Sequence, residues 1–246
     1  MSAFSKNHFS SLLHHSRSAL LCTCILGGSL TFAGCSKPST DVRSAADLFF
    51  SSYNHLCEAD TLDVSGTVDV AGLSGDYKAQ MVAKPAELAL QFENDADGLQ
   101  IAFYIKDGKT YLNYMGTKSS SVAANIGIEE DTELHLPNPF LEISRSDREK
   151  LFDSVKVSND TYTFTLNRSE TEKFLDSYGA VEVNKAILEA TIENETLRSM
   201  SIEVDGIYSV DKAGSPLSLK ASMNVDAADT PVTVEFPDDL TSWPVQ

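Results

Sequence analysis

The chain has 246 residues, with 36 Asp and Glu against 19 Lys and Arg, a formal net charge of −17. That balance excludes a nucleic-acid binder, whose phosphate partner requires a basic surface, and it offers no basic patch to anionic headgroups. Only four cysteines occur, two of them inside an apolar leader, which excludes a disulfide scaffold.

The first element in the chain is that leader. Lys6 and Arg17 stand before and within a stretch whose apolar run, residues 19–32, falls short of the roughly 20 residues needed to span a bilayer. A basic start, a short apolar run and small residues before a cut predict a cleaved signal peptide over residues 1–34. "TFAGC", residues 31–35, resembles the bacterial lipobox, with Phe32 where that pattern usually has Leu. The resemblance implies that Cys35 is lipidated and becomes the new N-terminus, holding the protein on the outer face of a bacterial cell membrane. Each buried CH₂ of the attached chains would add about 0.8 kcal/mol. Cys22 and Cys24 form a C-x-C within the leader, without the four ligands that a zinc site needs. Processing leaves about 210 residues, enough for one domain with a substantial core. Residues 35–43 read as the lipidated N-terminus and a short polar tether.

An amphipathic helix is predicted over residues 44–58, with Leu48, Phe49, Tyr53 and Leu56 on one face. Cys57 borders that face and reads as a buried thiol. The period then changes to two. In "LDVSGTVDV", Leu62, Val64, Val68 and Val70 share one side and Asp63, Ser65, Thr67 and Asp69 the other, the mark of a half-buried antiparallel strand. Alternation recurs at Tyr77-Ala79-Met81-Ala83, Leu88-Leu90-Phe92 and Ile101-Phe103-Ile105. Turns separate these strands at residues 94–98 and 106–109, the second with the Asp-Gly pair that a type I′ hairpin favours. Asp95 and Asp97 lack the remaining ligands of a calcium loop and read as turn residues.

Between residues 116 and 155 the alternation breaks, with polar "GTKSSS", the "LPNPF" turn and a helix predicted over residues 146–154. Strands resume at Lys156 and at "TYTFTL", followed by a helix over residues 169–178, with Ser169 as its cap and Glu172 at the capping-box position. Three long strands, over residues 185–193, 197–208 and 217–226, read as a meander. The chain closes with "PVTVEFPDDLTSWP".

About ten strands, a few helices and no β-α-β alternation predict an α+β fold with one large antiparallel sheet, which must curl or be covered. Its predicted inner face mixes large side chains with Gly66, Ala79, Ala83, Ala186, Ala190, Gly206 and Ala221. Small residues there leave room for a helix of the same chain, for an apolar ligand, or for both in one cavity. The candidate cavity walls are Val64, Val68, Met81, Leu90, Phe92, Ile101, Phe103, Phe164, Leu188, Met200, Ile202, Leu219 and Met223. Their role would be non-directional burial, at about 25 cal/mol per Å² covered.

Catalytic and metal-binding patterns are missing. After processing only His55 and His135 remain, and neither has a second ligand at i+4 or a Cys partner. "GLSG" at residues 72–75 lacks the spacing of a nucleophile elbow. Glu129-Glu130-Asp131 and Asp238-Asp239 read as solvated loop charge. No catalytic residue, metal or cofactor is expected.

In the order of its elements the chain resembles a known group of proteins over residues 44–243. A lipobox cysteine, an N-terminal helix, a long meander broken by helices and a closing pair of strands ending in "TPVTVEFPDDL" make it similar to the LolA/LolB lipoprotein-localisation factors and the LppX/LprG lipid-binding lipoproteins. The resemblance implies a half-open β-barrel covered by helices over residues 44–246, holding acyl chains or lipoproteins in its apolar cavity. The Arg of LolA and the protruding apolar loop of LolB match no motif here, so the implication is apolar-ligand binding and stops short of lipoprotein sorting. A membrane-anchored extracytoplasmic carrier or chaperone for a lipid is the resulting expectation. The alternative is a non-catalytic structural or regulatory lipoprotein acting through protein contacts, its sheet filled by its own helices.

Overall fold

The computed structural model describes residues 40–245, apart from positions 71, 95, 97, 130, 139, 141–142, 176–179 and 211–212. The leader, Cys35, the turn residues Asp95 and Asp97, and Glu130 lie outside the described residues.

Helix α1 (Thr40–Cys57) precedes strands β1 (Thr61–Val70), β2 (Leu73–Val82), β3 (Glu87–Asn94), β4 (Leu99–Lys106), β5 (Lys109–Tyr114) and β6 (Thr117–Val122). A long connection carrying the short helix α2 (Arg145–Arg148) leads to β7 (Phe152–Ser158) and β8 (Thr161–Leu166). Helix α3 (Arg168–Leu175) and the long strands β9 (Ala180–Glu193), β10 (Thr196–Val210) and β11 (Ala213–Ala228) follow. All eleven strands form one sheet in the order β6-β5-β4-β3-β2-β1-β11-β10-β9-β8-β7. The chain therefore enters at the middle, steps out to β6, crosses to the far edge at β7 and steps back until β11 pairs with β1. β6 and β7 are the two ends of that order. The result is the predicted single large antiparallel half-open barrel.

Alternation in the sequence becomes two distinct faces. Registers place Val64, Ala79, Leu90, Phe103 and Leu112 in one row across β1 to β5, and Gly66, Tyr77, Phe92, Ile101 and Tyr114 in the next. Between β4 and β5 the Asp-Gly turn forms as predicted, with positive φ at both Asp107 and Gly108.

α1 lies across the concave face and packs on β7, β9 and β10. It starts at Thr40, four residues before the predicted start, because Val42 already joins the core. The connection runs along α1. Asn138 Nδ2 donates to Asn54 Oδ1 at 2.5 Å, and the Phe140 ring meets Phe50 and Tyr53 edge-on. Arg145 pairs with Asp47, and Arg43 with Glu149 at 2.8 Å.

Several predicted elements differ. Within "GTKSSS" only Gly116 is a turn; residues 117–121 lie within β6, polar because it is an edge strand with one neighbour in the sheet. The helix predicted over residues 146–154 stops at Arg148, followed by a single 3-10 turn, since the buried Phe152 ring is drawn into strand β7. The cap of α3 is Asn167 and not Ser169: its Oδ1 accepts from Glu170 N at 3.1 Å. Glu172 instead ties α3 to β9, its Oε1 accepting from Val183 N at 2.9 Å. Tyr178, at the predicted end of that helix, lies outside the described residues.

The closing segment is not a pair of strands. It lies across the convex face, where Val234, Leu240 and Trp243 pack on Ala89, Ala102, Tyr104 and Tyr111. The Trp243 ring stands edge-on to both tyrosines, at 5.8 and 6.0 Å. Ser120 N donates to Pro244 O at 2.7 Å, and Lys118 Nζ to Asp239 Oδ2 at 2.6 Å, which holds the Asp239 carboxyl below the usual carboxylate range. This cover explains why β3 to β5 carry apolar residues on both faces.

Cys57 is the free cysteine among the described residues, and it is buried. Burial pushes its thiol up to about 11, against a hydrogen bond with Tyr53 that acts the other way. The folded protein is expected to leave Cys57 unalkylated by iodoacetamide at pH 8 and the urea-unfolded chain to react fully, read by intact mass. Because the folded thiol titrates above the unfolded one, its share of stability is complete below pH 9 and is lost as pH rises toward 11. Ready alkylation of the folded chain would refute the buried-thiol reading.

Candidate apolar binding face

All thirteen predicted wall residues lie on the concave face. In the register, Val68 stands opposite Ala221, Ala221 opposite Ile202, Ile202 opposite Leu188, and Leu188 opposite Phe164. They do not line one open cavity. Val64, Met81, Phe164, Leu188 and Leu219 are buried in the core that includes α1, and Leu90, Met200, Ile202 and Met223 pack against it. Val68 is buried as well. Phe92, Ile101 and Phe103 are half-buried and stand apart from that core, on the half of the sheet away from α1.

The pairing of β1 with β11 shifts register between Asp63 and Val64. The β1–β11 ladder is interrupted at Gly66 and Thr67, where Thr67 N turns to the Ser222 side chain at 3.1 Å. A Cβ on Gly66 would run into Ser222 O and the Tyr77 ring. Glycine is required there by this close approach. Tyr77 lies over the bare backbone and its Oη donates to Ser222 O at 2.9 Å. That carbonyl is therefore paired although the ladder skips it.

Farther from α1, β3 to β5 present Leu90, Phe92, Ile101, Phe103, Leu112 and Tyr114 as an apolar trough, continued on β2 by Tyr77. Leu112 and Tyr114 are each 40 % exposed, and Met115 at the rim is 57 % exposed. Gly75 makes room for the Phe92 ring, since a Cβ there would meet it at 2.5 Å. A contiguous apolar surface of this kind is the feature that marks a ligand or partner site. The trough holds three predicted wall residues that α1 does not bury. It also includes Leu112, Tyr114 and Tyr77, which sequence reasoning did not select. The first two follow on in alternation after Ile101-Phe103-Ile105, and that was the available signal.

Acid–base groups do not converge on the trough. His55 Nε2 lies 3.5 Å from Asp229 Oδ2 and His135 Nε2 3.9 Å from Glu133 Oε2, all four largely solvated. Among the described residues no group of three His, Cys, Asp or Glu side chains is placed to hold a metal ion, and no helix is long and apolar enough to cross a membrane.

No family model matches the chain, and no curated protein matches it. Among solved structures it is similar to LprF from Mycobacterium bovis, at 12% identity over 82% of this chain and 99% of that one, with a TM-score of 0.40. It is also similar to a DUF1329 family protein from Desulfovibrio piger, at 9% identity over 79% of this chain and 95% of that one, with a TM-score of 0.26. An open antiparallel sheet with a helix laid along its concave face is the arrangement that the resemblance implied. What the trough does is read from its own residues.

Proposed function

We propose that this protein is an extracytoplasmic carrier or chaperone that holds a lipid or other apolar molecule against the trough of β2 to β5, anchored to the outer face of a bacterial membrane through lipid on Cys35, and breaks no bond. The observation that supports it most is the asymmetry of the sheet. Its convex face over β3 to β5 is sealed by the closing segment, while the opposite, equally apolar face carries side chains open to water. Apolar surface left uncovered beside a well-packed core fits a binding role better than a structural one. Helix α1 begins at Thr40, so only four residues separate it from Cys35. At roughly 3.5 Å per extended residue that tether holds α1 within about 20 Å of the lipid surface.

The test is native mass spectrometry of the chain from Ser36, which carries every described element, followed by organic extraction. Co-purifying lipid of defined mass is the expected result. A clean apo mass with no uptake of a fluorescent fatty acid would overturn the carrier reading and favour a scaffold that uses the trough for protein contacts. For the anchor, radiolabelled palmitate is expected to mark the full chain and not its Cys35→Ser variant. Equal labelling of both would remove Cys35 from that role.

A further inference from the structure

A second groove lies at the end of β5 away from Met115. There the β2–β3 turn, the β4–β5 turn and the segment after β6 enclose about 620 Å³, walled by Pro85, Ile105, Val122 and Ile128. That volume falls within the roughly 300–1,000 Å³ of clefts that take a ligand. The segment after β6 is a single 3-10 turn (Ala123–Ile126) closed by Gly127 in the left-handed region. Its backbone is pinned. Ala123 is 0 % exposed and its N–H donates to Gly108 O at 2.9 Å, while Ile128 N donates to Ala123 O at 3.2 Å and Asn125 Nδ2 to Ser121 Oγ at 3.0 Å. With Ala123 held inward, its apolar neighbours are turned out: Val122 is 54 % and Ile126 58 % exposed.

Apolar side chains held in water on a fixed backbone mark a contact surface. The charge beside them says what fits. Glu87, Asp107 and Glu129 stand in the wall of the same groove, and none of the three forms an ion pair among the described residues. Two lysines beside them in sequence are turned to other partners, Lys84 Nζ to Glu133 Oε1 at 3.3 Å and Lys106 over the Phe236 ring at 4.5 Å. Lys109 is exposed and pairs with none of them. Unneutralised carboxylates around an apolar groove repel anionic headgroups, which disfavours a membrane surface. Among the described residues no three acids converge closely enough to share a metal ion. A cation on a long apolar stem satisfies both features, with methylenes on the wall and charge at the rim.

We propose that this groove docks a segment of a partner protein in which lysine or arginine is set among apolar side chains. The apolar residues of that segment cover Val122 and Ile126, and its cations reach Glu87, Asp107 and Glu129. The net charge of −17 draws such a segment in from a distance, an effect that salt weakens. This site goes beyond the carrier reading and does not depend on what the trough holds.

The experiment titrates the chain from Ser36 with a short lysine–leucine peptide and with a lysine–serine peptide of equal charge, read by methyl-resolved NMR and calorimetry. The lysine–leucine peptide is expected to shift the methyls of Val122, Ile126 and Ile128 and to bind about tenfold more tightly than the lysine–serine peptide. Val122→Ser with Ile126→Ser is expected to melt as the parent does, since both side chains are more than half exposed, and to lose about tenfold in affinity. Glu87→Gln with Glu129→Gln keeps the side-chain volumes and is expected to lose a similar factor and to flatten the salt dependence. No binding, equal affinity for the two peptides, or unaltered affinity in either double variant would overturn the site. So would shifts spread over the acidic surface or centred on Leu90, Ile101 and Leu112. Binding of the chain to phosphatidylglycerol vesicles, lost in the serine variant, would assign the patch to a membrane and overturn the protein partner.

Discussion

Replacing Ile101 and Phe103 together by glutamate is expected to abolish uptake of an apolar probe while the protein stays folded. Both side chains are half-buried on the concave face, so in the free protein each new carboxylate reaches water at modest cost. Under a bound chain the same carboxylates must be desolvated without a partner, which costs several kcal/mol per charge. A penalty of about 3 kcal/mol already weakens binding by roughly a hundredfold. Fluorescence titration with a fatty-acid probe measures the loss, and circular dichroism with a thermal melt checks the fold. Uptake within a few-fold of the parent, in a folded double variant, would move the binding site away from β4.

The largest effect on stability is expected from Phe49→Ala. Phe49 is 0 % exposed and its ring sits among those of Phe50, Tyr53, Phe140, Phe152 and Phe164, with centroids 5.2 to 6.4 Å away. These rings come from α1, the connection and two strands, so one substitution loosens the packing of all of them at once. Removing such a side chain costs about 3–5 kcal/mol, a large share of the 5–15 kcal/mol that typical domains possess. For a domain of this size the melting temperature should fall by roughly 6–20 °C. Leu112→Ala is the comparison: Leu112 is 40 % exposed, and its loss should cost about 1 kcal/mol or less. Equal melting temperatures for the two variants would mean that α1 is not held by this aromatic cluster.

Local pattern carried a great deal of this structure. Strict alternation from Leu62 to Ile105 determined which residues share the concave face, because a strand has a period of two and register cannot slip without reversing both faces. The Asp-Gly pair determined a hairpin, and the absence of β-α-β alternation determined an antiparallel sheet. Where the alternation depended on cover from elsewhere, pattern failed. Ser119 and Ser120 belong to β6, whose edge position and contact with the closing segment are not written in their own neighbourhood.

The site divides along the same line. That Phe92, Ile101 and Phe103 face inward was legible, since facing is a local property of the strand. That α1 would bury Phe164, Leu188 and Leu219 but leave those three half-open was not, because it depends on where a helix 18 residues long comes to rest on a sheet of eleven strands. The start of α3 shows the same limit. Ser169 and Glu172 read as its cap and capping-box partner. Asn167 caps it instead, its own N–H held by Leu151 O, 16 positions upstream of it, and Glu172 turns to Val183 N on β9. Local chemistry thus determined the strands, their faces and the turns, while the competition for partners between distant segments decided what is covered, what stays open and which residue caps a helix.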